Sequence, residues 1–214
     1  MERQESRIER RARRMRALLQ QSLLDVLRQK RFGGITIQDI TEQADVNRTT
    51  FYAYFPDKYA LLESTLRAQF QRALAARFPG NGGQWDSDSI CLLIRTTYEF
   101  LMEVKQLCKP FDTQMELFAA RLTQNELTII LSAWLKQVER KRGTHALSAA
   151  RQKTIISATS WVILGTGIEW AFQQTLDEES LAPDEITEQV FLILTEGVAR
   201  LAPELAHTLE EAPL

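Results

Sequence analysis

The chain has 214 residues, 44% of them hydrophobic and 25% charged, which is typical of soluble globular proteins and excludes collagen-like and low-complexity classes. Two Cys and two His exclude a disulfide scaffold and a multi-cysteine zinc site, and we expect neither a metal ion nor a cofactor. The formal net charge of −2 hides an asymmetry: residues 1–78 hold 15 basic and 9 acidic side chains, and residues 79–214 hold 11 and 19.

The basic amino-terminal part indicates an anionic partner, with nucleic acid and a membrane surface as the two candidates. The chain begins without the apolar stretch of a secretory signal, so we expect a cytoplasmic protein. Seven Arg residues lie between Arg3 and Arg16. This basic arm is either a solvated helix face or a surface that contacts phosphates, and the sequence leaves both interpretations open.

Apolar residues recur at helical spacing through most of the chain, and no alternating run is long enough to predict a strand. A first helix is predicted to end near Gly33-Gly34. Thr36 opens the second helix, because an acid follows three residues later, as in a capping box. After a break at residues 45–47, a short helix is predicted from Arg48 to Phe55, and a long helix from Lys58 to Phe78.

Residues 79–89 form the clearest loop, and further helices follow, with breaks at Pro110 and Gly143-Thr144. Two later segments, Ile155–Phe172 and Ile186–Leu201, are too apolar for one small subunit to cover easily. Pairing with a second copy would bury them in a four-helix interface, while the alternative is that they form the chain's own core. The expected interface residues are Trp161, Leu164, Gly165, Ile168, Val190, Leu194, Gly197 and Leu201.

The most informative part of the sequence is the pair of short helices between residues 36 and 58, which make a helix-turn-helix. Phe51 and Phe55 are four residues apart and are expected to face the core. The other side of this helix carries no acid, and its Arg, Thr and Tyr side chains suit a DNA major groove. The exposed face consists of Arg48, Thr49 and Tyr52, flanked by Thr50 and Tyr54.

Two cations in this region stand where helix electrostatics disfavour them. Arg48 follows the Asn47 cap and Lys58 follows the Asp57 cap, so each places a positive charge at a helix start. A bound phosphate would offset the unfavourable energy, which is typical of functional sites. The alternative is that both side chains extend into water.

The segment TIQDITEQADVNRTTFYAYFPDKYALL, residues 36–62, resembles the DNA-binding signature of tetracycline-repressor-like (TetR) transcriptional regulators. The resemblance implies an all-α fold with a three-helix DNA-binding domain over residues 1–60 and a helical ligand-binding and dimerisation domain over residues 61–214. It also implies a homodimeric repressor that leaves a palindromic operator in double-stranded DNA when a small-molecule effector binds. Activation, or regulation without a ligand, is the alternative.

The resemblance also assigns roles to single residues. Thr36 is expected to contact a phosphate, Arg48, Thr49 and Tyr52 to face the groove, and Tyr54 and Lys58 to hold the DNA backbone. The sequence departs from the family's pattern at two positions, with Asp45 for the usual Gly of the turn and Thr41 for a common Ala. Because Asp tolerates a left-handed conformation better than most residues, we expect the turn to be preserved.

Bulky side chains on the middle helices are candidates for an effector pocket, which favours an apolar or aromatic ligand. The same residue types at helical spacing suit a plain core equally well. The candidates are Tyr98, Met102, Phe111, Met115, Phe118, Trp134 and Trp161.

Other functional classes find little support in the sequence. HExxH, GxSxG, P-loop and GxGxxG patterns are absent, so we predict that the protein is not an enzyme. Cys91 and Cys108 would lie roughly 25 Å apart on one continuous helix, too far for a disulfide, so we expect ordinary thiols. A redox switch through a helix kink or an intersubunit bridge is the alternative. Insertion of Ile155–Phe172 into a membrane is disfavoured by Glu169 and four hydroxyl side chains within it. Binding of the arm to anionic lipid would leave the Thr- and Tyr-rich helix unexplained.

Overall fold

The computed structural model describes residues 7–78, 83–107, 113–142, 147–172, 181–202 and 205. Over these residues the protein is all-α, as the sequence predicts, and has no strand. One turn of 3₁₀ helix covers Phe32–Gly34. The α-helices are α1 (Arg7–Leu27), α2 (Ile37–Gln43), α3 (Arg48–Tyr52), α4 (Lys58–Arg77), α5 (Ser87–Leu107), α6 (Thr113–Arg142), α7 (Ala149–Phe172) and α8 (Pro183–Leu201).

The first helix ends earlier than its predicted stop at the glycine pair. α1 ends at Leu27, and the amides of Gln29 and Lys30 both donate to the carbonyl oxygen of Val26, which closes the turn. The chain then passes through the 3₁₀ turn, where the side chain of Phe32 is fully buried. The glycines therefore belong to a separate turn, because the chain has to leave the helix to bring Phe32 into the core.

The chain divides into two compact units, and the division does not follow the sequence linearly. One unit consists of Met1–Gln69 and Val104–Phe118, and the other consists of Phe70–Glu103 and Ala119–Leu214. Each boundary falls inside a helix, in α4, α5 and α6. The predicted boundary after residue 60 stays a prediction.

The first unit is built on the apolar faces of its helices. Leu19 and Leu23 of α1 are fully buried, as is Ile40 of α2. Phe51 and Phe55 are also buried, which confirms that they face the core. α1 packs against α2, and α2 packs against α3. Because this packing buries one side of α3, the opposite side is the exposed one.

The second unit contains a close approach between α5 and α7. Gly167 of α7 lies against Tyr98 of α5, and a Cβ atom at this glycine would stand 2.8 Å from two atoms of the Tyr98 ring. The Tyr98 hydroxyl is hydrogen-bonded to Oγ1 of Thr166 at 2.6 Å, and its ring stacks on Trp170 with centroids 5.8 Å apart. Burial raises the pKa of Tyr98 to about 12. A side chain held in this way is part of the core.

Among the described helices, α7 alone has the length and the mean hydropathy, 1.3, to cross a membrane. Its buried residues include Thr159, Ser160 and Gly167, which pack inside the protein. A helix of this kind occurs equally in the core of soluble proteins, so its composition is weak support for a membrane span.

Candidate nucleic-acid interface

The amino-terminal end of α2 forms the predicted capping box. Oγ1 of Thr36 accepts the amide of Asp39 at 3.2 Å, and Oδ2 of Asp39 accepts the amide of Thr36 at 2.8 Å. The pKa of Asp39 is lowered to about 2, first by the hydrogen bond from Lys30 and then by those from Thr36. Because this pKa is depressed, the stabilisation is complete above the unfolded value near 4 and is lost as the pH falls towards about 2.

The turn between α2 and α3 keeps its shape despite the two departures from the family's pattern. Asp45 adopts a φ of 51°, which confirms the expected left-handed conformation at the usual glycine position. Thr41 is buried, and its hydroxyl donates to the carbonyl oxygens of Ile37 and Gln38 at 3.0 and 3.1 Å. Because its hydroxyl is satisfied within its own helix, Thr41 fits where Ala is common.

α3 is held at its start by a side-chain cap. Oδ1 of Asn47 accepts the amide of Thr50 at 2.7 Å and the Thr50 hydroxyl at 2.9 Å. The helix ends at Tyr52, earlier than predicted, although the amide of Phe55 still donates to the carbonyl oxygen of Phe51. α3 is therefore short and positioned by its cap and its buried phenylalanine.

The structure brings the predicted groove-facing side chains together on the exposed side of α3. Arg48 and Thr49 are exposed, and Tyr52 is 55% exposed. Nη2 of Arg48 donates to Oε1 of Gln38 at 2.8 Å, so a residue of α2 holds the guanidinium group. Sequence analysis did not single out Gln38, because the side chain lies on another helix, ten positions earlier in the chain.

The flank of α3 includes an arginine of the basic arm. The Arg16 guanidinium carbon lies 5.9 Å from the centre of the Tyr54 ring and 5.3 Å from that of Phe55. Tyr54 is half-buried, as is Thr50, and Thr36 is exposed. The composition of the arm indicated a charged surface, but its sequence distance from α3 concealed this contact. The DNA contacts of all these residues stay predictions.

The structure gives Lys58 a role inside the protein. Its ammonium group donates to the carbonyl oxygens of Phe32, Gly33 and Ile35 at 3.0, 3.2 and 2.7 Å. Nζ also lies 4.8 Å from the centre of the Phe32 ring. These hydrogen bonds hold the 3₁₀ turn that leads into α2, and the phosphate contact of Lys58 stays a prediction. We therefore expect Lys58 to position α2 in the protein.

Replacing Lys58 by Met tests this positioning role, because Met keeps the apolar stem and removes the donors. Hydrogen bonds from charged groups contribute about 1.5–3 kcal/mol, so we expect the free energy of unfolding to fall by up to that amount. DNA binding should weaken by the same factor at every salt concentration. A direct phosphate contact would instead reduce the slope of log K against log salt by about 0.9 per protomer. Urea unfolding and DNA titrations at several salt concentrations distinguish the two roles.

The candidate effector residues differ in their burial. Tyr98, Met115 and Trp134 are buried, Met102 and Phe118 are half-buried, and Trp161 is 59% exposed. The set also spans both compact units, and Phe111 lies outside the described residues. The role of these residues in lining an effector pocket stays a prediction.

The aromatic candidates have separate neighbours within each unit. Phe118 stacks on Tyr59 in the first unit, with ring centroids 5.7 Å apart, and Trp134 contacts Phe78 in the second unit. Trp134 also lines an open groove of about 630 Å³ on α6. Bulky side chains at helical spacing serve local packing first, and periodicity does not reveal which of them share a cavity.

The expected dimer residues divide between buried and exposed faces of α7 and α8. Leu164, Val190 and Leu194 are buried within the chain itself, and their role in a dimer interface stays a prediction. Ile168 is half-buried. Side chains that are buried in the protomer offer little surface to a partner.

The remaining expected dimer residues are exposed, and the sequence missed two others. Leu192 and Ile193 are apolar and mostly exposed. A Cβ atom built at Gly165 or Gly197 meets nothing within 4 Å, so these glycines also face outward. We call this set the outer α7–α8 residues: Trp161, Gly165, Leu192, Ile193, Gly197 and Leu201.

Cys91 has the properties of an ordinary thiol. It is half-buried in α5, and its pKa is raised to about 11, mainly by burial and further by the charges of Asp88 and Glu188. A raised pKa keeps the thiol protonated and unreactive near neutral pH. Cys108 lies outside the described residues, and within those residues no cluster of His, Cys, Asp and Glu is arranged to hold a metal ion.

Comparison with known proteins supports the interpretation of the helix-turn-helix. The model of the family described as "Bacterial regulatory proteins, tetR family" matches residues 23–65. The HTH-type transcriptional regulator YxbF of Bacillus subtilis (strain 168) is 44% identical over 72 residues, which are 33% of this chain. The matched stretch is 18% of that relative's length, so the likeness concerns the amino-terminal segment.

Solved structures share the fold over most of the chain. The dihydroxyacetone kinase operon activator DhaS has a TM-score of 0.56 at 17% identity, over 87% of this chain and 97% of its own. A TetR-family regulator from Streptomyces coelicolor has a TM-score of 0.55 at 18% identity, over 92% of this chain and 86% of its own. Residues 23–65 therefore match the tetR-family segment, and over most of its length the chain shares a helical fold with solved structures.

Proposed function

We propose that the protein is a homodimeric repressor that binds a palindromic operator through α2 and α3 and is released by a small-molecule effector. The observation that carries this proposal is the exposed Arg48, Thr49 and Tyr52 face on a capped helix without a carboxylate. Such a face combines a donor fork for guanine with hydroxyl groups for bases and phosphates. The protein would act in the cytoplasm, where its operator DNA is found.

α2 and α3 support this role because they are held in position before DNA binds. Asn47 caps α3, Thr36 caps α2, and Gln38 holds the guanidinium of Arg48. A side chain held before binding loses less conformational entropy when it meets its target. The arrangement therefore favours recognition of a defined base sequence over loose attraction to charge.

A palindromic operator requires two protomers. Symmetric half-sites one helical turn apart are about 34–36 Å from centre to centre. The α2–α3 helix-turn-helix of each protomer, which we call its reading head, occupies one half-site. The outer α7–α8 residues offer an apolar surface of the kind that a two-fold interface buries. We assign these residues to the contact between protomers.

Helix connectivity supports release by an effector. α4 is one continuous helix that begins at Lys58, beside the reading head, and passes into the second compact unit. An effector that binds better to a state with another spacing of the heads lowers operator affinity by its differential affinity for that state. The buried aromatic side chains of the second unit favour an apolar or aromatic ligand.

Selection of bound fragments from a random duplex library tests the proposal. We expect enrichment of an inverted repeat whose half-site centres lie about 10–10.5 base pairs apart, or a multiple of that spacing. Enrichment of a single unrepeated half-site would contradict the dimer. Absence of enrichment at modest ionic strength would contradict operator binding altogether.

A further inference from the structure

The beginning of α1 carries an unusual concentration of positive charge on one side. Arg7, Arg10, Arg11 and Arg14 follow the spacing that places residues on one helix face, and all four are exposed. Together they line a surface groove of about 520 Å³. We call these four side chains the arginine stripe.

No carboxylate of the described residues forms an ion pair with the stripe. Like charges three and four positions apart destabilise a helix by about 0.2–0.5 kcal/mol per pair. Two exposed arginines elsewhere in the first unit are arranged differently, since Arg28 pairs with Asp25 at 2.6 Å and Arg67 with Glu63 at 2.9 Å. A locally unfavourable arrangement that folding does not require points to an external anion.

The stripe is continuous with the candidate DNA surface. Arg11 also lines a second groove, of about 550 Å³, together with Asn47, Thr49 and Tyr54. The stripe therefore starts where the α3 face ends. From Arg7 to Arg14 the helix rises about 10 Å, a length that covers about three phosphates of one DNA strand.

We propose that the arginine stripe binds backbone phosphates of the DNA that flanks the operator, as a second, sequence-independent contact surface. This inference rests on the proposed function, because it assumes that α3 lies in the operator. The stripe would lengthen the bound segment and make affinity depend more steeply on salt, without adding base specificity.

The observations favour DNA over an anionic membrane surface. A helix that lies on a membrane needs a broad apolar face opposite its basic face. The apolar face of α1 is used inside the protein, where Leu19, Leu23 and Leu27 are buried. In the turns that carry the stripe, Ile8 is the large apolar residue exposed to solvent, and one side chain does not make an amphipathic face.

The test uses a triple variant with Arg7→Gln, Arg10→Gln and Arg14→Gln, which spares Arg11 because it also lines the α3 groove. A matched control carries Arg28→Gln, Arg67→Gln and Arg72→Gln, which removes the same charge elsewhere. Each full-length protein is titrated with the selected operator, once as a minimal duplex and once extended by about ten base pairs on each side.

We expect the wild type and the control to bind the extended duplex more tightly than the minimal duplex, and with a steeper dependence on salt. The triple variant should gain neither, and its slope of log K against log salt should be shallower by up to about 2.7 per protomer. All three proteins should bind the minimal duplex with similar affinity.

Three results would overturn the inference, and they differ in meaning. Equal gains for the triple variant and the wild type would mean that the stripe is a solvated face, with the proposed function intact. The stripe would be assigned to lipid if the wild type, but not the triple variant, bound phosphatidylserine vesicles. In that case both proteins would also gain the same affinity and salt dependence on the extended duplex. Failure of the wild type to bind either duplex would overturn the proposed function together with the inference.

Discussion

Replacing Ile193 by Glu is expected to convert the protein into a monomer and to weaken operator binding by about 10²- to 10⁴-fold. Ile193 is 61% exposed among the outer α7–α8 residues, so the change leaves the core of the protomer untouched. In a dimer the carboxylate would be buried without a partner, which is strongly unfavourable. Without pairing, each reading head binds its half-site alone, and the gain from simultaneous engagement, about 10²- to 10⁴-fold, is lost. Sedimentation equilibrium and operator titrations measure the two effects.

The chain offers a closely matched control for this variant. Ile129 of α6 is 62% exposed, so Ile129→Glu makes the same chemical change at the same exposure on another helix. The control should remain dimeric and bind the operator as the wild type does. A dimeric Ile193→Glu protein would refute the assignment of the interface to this surface, and monomers from both variants would mean that the effect is not specific to α8.

The parts of the site that the sequence predicted are those that depend on local rules. The Thr36 capping box, the Asn47 cap and the left-handed Asp45 each involve residues within three or four positions of one another. Side chains at such distances meet whatever the rest of the fold does. The all-α class was predictable for a similar reason, because a repeat of 3.6 residues is a property of each segment alone.

The parts that the sequence did not predict depend on which element packs against which. Periodicity shows that Val190 and Leu194 share a face, but it does not say whether that face meets the same chain or a partner. The structure places both in the core and leaves their neighbour Ile193 outside. Lys58 is a comparable case, since its acceptors lie more than twenty positions earlier in the chain.

Replacing Arg48 by Ala is expected to weaken binding to the selected operator much more than binding to random duplex DNA. A bidentate Arg–guanine contact is worth about 1–3 kcal/mol of discrimination, and a dimer makes the contact in both half-sites. The expected loss is therefore about 2–6 kcal/mol, or roughly 30-fold to 10⁴-fold on the operator. Random duplex binding should weaken slightly, because one charge per protomer is removed. Competition titrations with the operator and with random duplex measure the ratio.

Arg48→Lys tests whether operator binding needs the shape of the guanidinium group or only its charge, because Lys keeps the positive charge and loses the planar set of donors. If Arg48 reads a base, Lys should restore random binding and leave most of the operator loss in place. Gln38→Ala should reproduce a smaller part of that loss, because Oε1 of Gln38 holds the guanidinium at 2.8 Å and the substitution leaves the charge intact. Full recovery by Lys would mean that Arg48 contacts only phosphate, and the base specificity of α3 would then have to come from Thr49 and Tyr52.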